Sequence, residues 1–262
     1  MRQRQDSLQR IWLAIAMLLA LVGYPAHGQT NIAATLVAES HSPAPGNSTS
    51  IAIHFTPGPG WHGYWQNPGE AGFPGRFEWT LPKGVGVTAP RYPVPERLIV
   101  ADMMNHVFNG EHTLIARLTL DKTIAPGTFL PVRLKADWLA CTDKVCVPEQ
   151  GQLAVDLVAG KGGVEPAGRA RFDGWRAKLA RPLGSDANFA VDGDHVRIAV
   201  PWPASHSVAG GWFFAATEHA VAYKGPQSLH QQDDQLIIDL PRNQADFEKP
   251  AQLTGVLALA DG

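Results

Sequence analysis

The chain has 262 residues, a formal net charge of −2, 26 glycines and 21 prolines. This length suits one large domain or two domains of ordinary size. The near-neutral charge excludes the basic footprint of a nucleic-acid-binding protein, so no nucleic-acid partner is expected. The many glycines and prolines favour a β-rich architecture with frequent turns over a helical bundle.

The N-terminus has the pattern of an export signal. Three arginines precede an apolar run over residues 11–22, and small residues follow the run up to Gly28. A basic segment, a short apolar segment and a small-residue cleavage site are typical of a secretory signal peptide. The apolar run is too short to span a bilayer comfortably. We predict that residues 1–28 are a cleavable signal peptide; an uncleaved membrane anchor is the alternative.

Short β-type runs alternate with turn clusters over the next 130 or so residues. Strands at this spacing, without helices between them, are typical of an antiparallel sandwich. We therefore predict a first β-sandwich domain over residues 30–160. Its predicted strands are 32–39, 50–56, 76–81, 113–120, 132–139 and 153–158.

A flexible linker is predicted over Gly160–Gly163, where three of the four residues are glycine. Phe172, Trp175 and Leu179 then follow helical spacing and predict a helix over residues 166–180. The β pattern returns afterwards, so we predict a second, smaller, sandwich-like β-rich domain over residues 165–262. Its predicted strands are 196–200, 211–216, 236–240 and 253–259.

Motifs for bound cofactors and metals are weak. The Gly58–Gly63 segment fits the spacing G-x-G-x-x-G, but aromatic residues and Pro68 follow it where a dinucleotide site needs a helix. The ten histidines show no metal-binding spacing. Met103, Met104 and His106, with the cysteines, could suit a soft ion such as Cu(I). We predict neither a cofactor nor a metal site.

The two cysteines, Cys141 and Cys146, are separated by four residues. In an exported protein such a pair is expected to form a disulfide. Closing so short a loop stabilises a fold by only about 2 kcal/mol, against nearly 5 kcal/mol for a loop of about 100 residues. The bond is therefore poorly placed as a staple and reasonably placed as a redox group, although an inert structural bond remains the alternative.

The cysteines are predicted to face each other across the tip of a hairpin. The predicted strand 132–139 leads into Cys141, and Cys146 opens the return strand. Pro148 lacks a backbone N–H and is best placed at a sheet edge, which would keep the Cys146 sulfur approachable. Cys141 follows the apolar Leu139 and is expected to be more buried. These features slightly favour Cys146 as the exchanging sulfur.

Four sequence blocks together resemble one family. They are Gly60–Gly72 (GWHGYWQNPGEAG), Glu78–Pro82 followed by Tyr92–Arg97, and Trp138–Glu149, which carries both cysteines. In this order they resemble the N-terminal periplasmic region of the thiol:disulfide interchange protein DsbD family, especially its ScsB relatives from the copper-sensitivity-suppressor group. The resemblance is strong over residues 30–160 and weak beyond.

The resemblance implies an immunoglobulin-like sandwich in the periplasm that carries a redox-active cysteine pair. It implies that Cys146 attacks and is attacked, and that Cys141 resolves the mixed disulfide. It also implies a cap loop that shields the pair. The matching stretch is roughly Met103–Gly110, which includes Met104, and Phe108 is its expected lid side chain. The expected partners are thioredoxin-fold proteins as electron donor and acceptor, and full-length relatives add a membrane electron-transfer domain.

Two functions are carried forward. The first is a periplasmic thiol–disulfide exchange module of the protein-disulfide reductase type, which relays electrons through Cys141 and Cys146. The alternative is a non-catalytic periplasmic module that binds copper or a protein partner and whose disulfide is structural. Because the sequence ends at Gly262, we expect either a free-standing module or a piece of a longer protein.

Overall fold

The computed structural model describes residues 30–245 and 249–260, and the chain from Asn31 onward forms one compact unit. Over the described residues it has sixteen strands and one helix, and the paired strands are antiparallel. The predicted all-β class with one short helix is confirmed. The predicted signal peptide lies outside the described residues. In the part that is described, no helix is long and apolar enough to cross a membrane.

The first half of the chain is an immunoglobulin-like sandwich of two sheets. In spatial order, the first sheet contains β1 (Ile32–Ala38), β2 (Ser48–Pro57), β8 (His112–Leu120) and β5 (Val85–Val87). The second sheet, which faces it, contains β10 (Cys146–Val158), β9 (Phe129–Cys141) and β4 (Arg76–Thr80). Buried side chains from both sheets form a single core. Along β9, Leu130, Val132, Leu134 and Ala136 are buried and alternate with less buried residues, the period of two that turns one face of a strand inward.

A third sheet and a second sandwich complete the fold. The third sheet has the order β3 (Gly63–Gly69), β7 (Met103–Phe108) and β6 (Glu96–Val100). The second half contains β11 (Asn188–Asp192), β12 (His195–Pro201), β15 (Gln235–Pro241) and β14 (Ser228–Gln232) in one sheet, with β13 (Gly211–Ala215) and β16 (Gly255–Leu259) paired in another. This half has its own apolar core, to which β7 contributes Met104.

The helix α1 (Pro166–Arg176) covers part of the outer face of the first sheet. Its Phe172 is fully buried against Ala52 and Ile115. The helix ends four residues earlier than predicted, because the chain tightens into i→i+3 turns after Trp175 and places Leu179 in a β-bridge with Pro93. Leu179 still packs in the same cluster, so the apolar spacing identified its burial but not its backbone conformation.

Buried polar contacts connect the two halves. The Asn67 side chain in β3 donates hydrogen bonds to the Ala215 carbonyl at 2.8 Å and to the Tyr223 hydroxyl at 3.0 Å. His106 is buried beside them, and its Nδ1 lies 3.0 Å from the Asn67 carbonyl oxygen. Because unpaired buried polar groups are costly, these contacts favour one fixed arrangement of the strands that carry them. The division into domains at residues 160–165 stays a prediction.

The predicted linker is hydrogen-bonded along its length to an upstream segment. The Gly160 and Gly162 amides donate to the carbonyls of Pro43 and Ser42, at 2.9 and 2.7 Å. Ser40 Oγ donates to the Gly163 carbonyl at 2.6 Å. These contacts hold the segment against the first sandwich, an arrangement that its glycine content alone did not indicate.

Three rings stack between β2, β8 and β7. The His112 ring lies between Phe55 and Phe108, with centroid separations of 5.1 and 4.3 Å, and its Nδ1 is 3.0 Å from the Gly110 carbonyl oxygen. Burial lowers the pKa of His112 to about 4. The imidazole is therefore neutral in the folded protein at neutral pH.

We predict that acid destabilises the protein partly through His112. Between about pH 6.5 and pH 4 the unfolded chain binds a proton at this ring that the folded chain does not, so stability falls as pH falls through that window. The variant His112→Phe keeps a ring in the stack and removes the titration. Between pH 7 and pH 4.5, the wild type should lose roughly 2 kcal/mol more unfolding free energy than the variant in urea titrations. Equal losses in both proteins would contradict this assignment.

Candidate functional site

The cysteines lie at the end of the ladder between β9 and β10, directly opposite each other. Cys141 pairs with Cys146 in register, and the two form a disulfide, as predicted. Thr142 organises the connecting turn: its amide donates to the Val145 carbonyl at 2.8 Å, and its Oγ1 accepts hydrogen bonds from the amides of Lys144 and Val145 at 3.1 Å. Such a hydroxyl-capped turn holds a short loop without other support.

The two sulfurs are in different environments. Cys141 is 0% exposed, and its backbone forms a two-way β-bridge with His62, at 2.8 and 3.0 Å. Cys146 is exposed on β10, which is the outer strand of its sheet. Val145 and Val147 beside it are 53% and 37% exposed. The hairpin therefore presents one sulfur within an apolar surface and keeps the other inside the fold.

The Glu149 carboxylate joins this hairpin to the start of β1. Its Oε1 accepts hydrogen bonds from the backbone amide and the side-chain amide of Asn31, at 2.6 and 2.9 Å. Its Oε2 accepts from the Ile32 amide at 3.1 Å and from Trp138 Nε1 at 2.9 Å. Trp138 stands opposite Glu149 in the ladder, three positions from the disulfide. One carboxylate thus holds the outer strand, the indole and the β1 backbone together.

Aromatic side chains lie beneath the hairpin. A cavity of about 20 Å³ is lined by residues that include Tyr64, Phe73, Tyr92 and Trp138. Burial raises the pKa of Tyr92 to about 12. Phe73 lines this cavity and is nevertheless 69% exposed. Sequence analysis did not select Phe73; its only signal is a large apolar residue placed between turn-forming glycines and proline.

Gly72 shapes the loop that carries Phe73. Its φ is +95°, and a Cβ placed there would lie 2.3 Å from the Tyr64 ring. A side chain at this position is therefore excluded both by backbone conformation and by contact. The glycine allows the loop to close tightly over Tyr64, whose ring meets that of His62 edge to face at 5.6 Å.

The residues matched to a cap loop lie in a strand. Met104 and Phe108 are each 4% exposed, whereas Met103 is 39% exposed. Phe108 pairs with Gly63, and the adjacent His62 bridges to Cys141, so the 62–63 segment lies between β7 and the buried cysteine. The segment 103–108 is held on both sides by β3 and β6. Its role as a cap stays a prediction.

The residues considered for Cu(I) have other partners. Both cysteine sulfurs form the disulfide, and Met104 packs in the core of the second half. His106 is enclosed by Trp65, Phe214 and Tyr223, at centroid distances of 5.9, 5.2 and 5.4 Å. Across residues 30–245 and 249–260, no group of three or more His, Cys, Asp or Glu side chains is arranged to hold a metal ion.

We predict that Glu149→Gln destabilises the protein by about 2–3 kcal/mol, because the amide nitrogen would face N–H donors that the carboxylate now accepts. The matched control is Glu78→Gln, which removes an exposed carboxylate that lies 3.7 Å from Lys135. It should cost less than about 0.5 kcal/mol. Urea unfolding followed by tryptophan fluorescence measures both; similar costs would show that the Glu149 contacts contribute little.

One family and several solved structures are similar to this chain. Residues 33–157 match the family described as thiol:disulfide interchange protein DsbD, N-terminal. The crystal structure of the N-terminal periplasmic domain of ScsB from Proteus mirabilis has a TM-score of 0.64 at 15% identity, covering 91% of this chain and 92% of that chain. The N-terminal domain of Neisseria meningitidis DsbD in its reduced form has a TM-score of 0.26 at 13% identity, covering 50% of this chain and 87% of that chain. No curated protein sequence matches this chain. Residues 33–157 match the DsbD N-terminal domain family, which confirms the resemblance seen in the sequence.

Proposed function

We propose that this protein is a periplasmic thiol–disulfide exchange module that relays two electrons from a thioredoxin-like donor to partner proteins. The observation that carries the proposal is the asymmetry of the disulfide, with Cys146 exposed on an outer strand and Cys141 buried behind it. A purely structural bond gains nothing from presenting one sulfur to solvent. The match of residues 33–157 to the DsbD N-terminal family supports the same chemistry.

In the reductive half of the proposed cycle, a donor thiolate attacks the Cys146 sulfur in line with the disulfide. A bond forms between the donor and Cys146, the Cys141–Cys146 bond breaks, and Cys141 leaves with the electron pair as a thiolate. The second donor thiolate then attacks the donor sulfur of this mixed disulfide and releases Cys146. The donor becomes a disulfide, and this protein gains two electrons and, after protonation, two protons.

In the oxidative half, the Cys146 thiolate attacks the disulfide of a partner and forms a second mixed disulfide. Cys141 then attacks Cys146, which re-forms the internal bond and releases the reduced partner. The register supports this resolving step, because Cys141 lies opposite Cys146 with Cα atoms 4.1 Å apart. Exchange depends on which sulfur is accessible, and the exposed position of Cys146 favours it over Cys141 for both attacks.

The surroundings of Cys146 suit transient contact with another protein. Val145 and Val147 offer apolar contact, while the outer edge of β10 at Pro148 has no N–H to donate. We place this exchange in the periplasm on the basis of the predicted signal peptide. The domain from P. mirabilis that shares the fold is itself described as periplasmic.

We predict that Cys141→Ala traps a covalent complex with a thioredoxin-fold partner, because the mixed disulfide at Cys146 can no longer be resolved from within. Cys146→Ala should trap none. The measurement is non-reducing electrophoresis after incubation with a thioredoxin-like protein, with reducing agent added to a parallel sample.

The matched control is the double variant, which should give no complex. Trapping through Cys141 alone would reverse the roles of the two cysteines. If neither single variant traps a partner, the result favours the alternative of a binding module with a structural disulfide.

We also predict a reduction potential between about −120 and −270 mV for the Cys141–Cys146 pair, the range of thioredoxin and its relatives. A structural disulfide would lie below about −300 mV. Equilibration in glutathione redox buffers, followed by thiol alkylation and mass spectrometry, measures the reduced fraction. A bond that stays oxidised throughout, and that a thioredoxin-like donor cannot reduce, would exclude the relay.

A further inference from the structure

A polar groove lies on the outer face of the first sheet, beside the helix. Ala52 and Ile115 on this face pack against Phe172 of α1. Their neighbours Ser50 and Arg117 pair in register; Arg117 is exposed, and Ser50 is half-buried and accepts a hydrogen bond from Arg176 at 3.2 Å. The uncovered end of the face is the floor of a groove of about 640 Å³. Its walls are α1 and the 161–164 segment, and none of its lining residues comes from the cysteine hairpin.

Positive charge converges on this groove. Its lining contains Arg91, Arg117, Lys161, Arg169 and Arg176, against a single carboxylate, Glu39. The whole chain has a formal net charge of −2, so the basic lining is a local concentration and not a reflection of overall composition. The five cations come from four separate segments of the chain. The fold, and not a run of basic residues in the sequence, brings them together.

Two of the arginines are held in place by other groups. Arg176 donates to both Glu39 oxygens, at 3.0 and 2.8 Å, and to Asp173 at 2.6 Å. The hydrogen bonds from Arg176 lower the pKa of the Glu39 carboxyl. Burial raises this pKa, but the charges of Arg176 and Arg169 lower it further, so the net shift is downward. Arg91 donates to the Ala180 carbonyl at 2.7 Å. The single acid of the groove is therefore already paired.

The other three cations, Arg117, Lys161 and Arg169, can interact with a bound anion. Among the residues that the structure describes, no carboxylate lies within 4.0 Å of the charged nitrogens of Arg117, Lys161 or Arg169. A cleft lined by one sign of charge focuses its electrostatic field and concentrates ions of the opposite sign. Arginine side chains also bind phosphate oxygens in pairs, with more directional geometry than lysine.

We propose that this groove is a binding site for a multivalent, phosphate-bearing anion, independent of the cysteine pair. Its volume lies within the range of about 300–1,000 Å³ that small-ligand sites occupy. The serine and threonine side chains of its lining, including Ser48 and Thr49, suit a hydrophilic ligand rather than an apolar one. The same phosphate chemistry could be presented by a free anion or by a lipid headgroup, and the test separates the two sources.

The test uses the purified, oxidised protein with tripolyphosphate as the soluble probe and phosphatidylglycerol vesicles as the lipid probe. Isothermal titration should show tripolyphosphate binding that weakens with added salt. The double variant Arg117→Gln/Lys161→Gln should weaken binding at least about tenfold, because each charge-assisted hydrogen bond is worth more than a neutral one. Both residues are exposed, so the melting temperature should not change.

The matched control is Arg171→Gln, which removes one charge from the same helix at a position outside the groove. It should change affinity less than about twofold. Binding to vesicles alone, lost in the double variant, would assign the phosphate to a lipid headgroup. The proposal is overturned if neither probe binds, if Arg171→Gln is as damaging as the double variant, or if only an acidic peptide such as polyglutamate binds.

Discussion

The ladder between β9 and β10 fixes the geometry on which the candidate site depends. It pairs Phe129–Cys141 with Cys146–Val158 over the full length of both strands. A slip of one residue would move every side chain of one strand to the opposite face. It would expose the alternating core residues of β9 and separate the cysteines. The apolar core therefore sets the register, and the register in turn sets the disulfide, the Trp138–Glu149 pair and the turn at Thr142.

Position within the sheet explains why the two sulfurs differ. Cys141 has neighbours on both sides, Cys146 in β10 and His62 across the bridge, so its sulfur is enclosed. Cys146 belongs to the outer strand and has a neighbour on one side only. The difference in exposure between Cys141 and Cys146 thus follows from strand order. Glu149 supports this arrangement by holding the outer strand to β1.

Local pattern predicted much of the fold and part of the site. Alternation and turn residues located strands such as 132–139, and the cysteine spacing located the disulfide. Strand β7 was missed because most of its residues are buried and no alternation marks it. Residues 63–69 contain glycine and Pro68, which obscure a strand, and β3 has an irregular register with β7. The contacts of Asn67 with Ala215 and Tyr223, and the convergence of cations beside α1, join distant segments that no local pattern connects.

Met104 links the cores of the two halves of the molecule. It lies in a strand of the first half, yet its side chain is part of the core of the second. Trp65 and Phe108 likewise pack with Phe214 across the same boundary. A recombination breakpoint in the 160–163 segment would therefore separate one core from a residue that fills it. A replacement for either half would therefore have to preserve the packing of Met104, Trp65 and Phe108 against the other half.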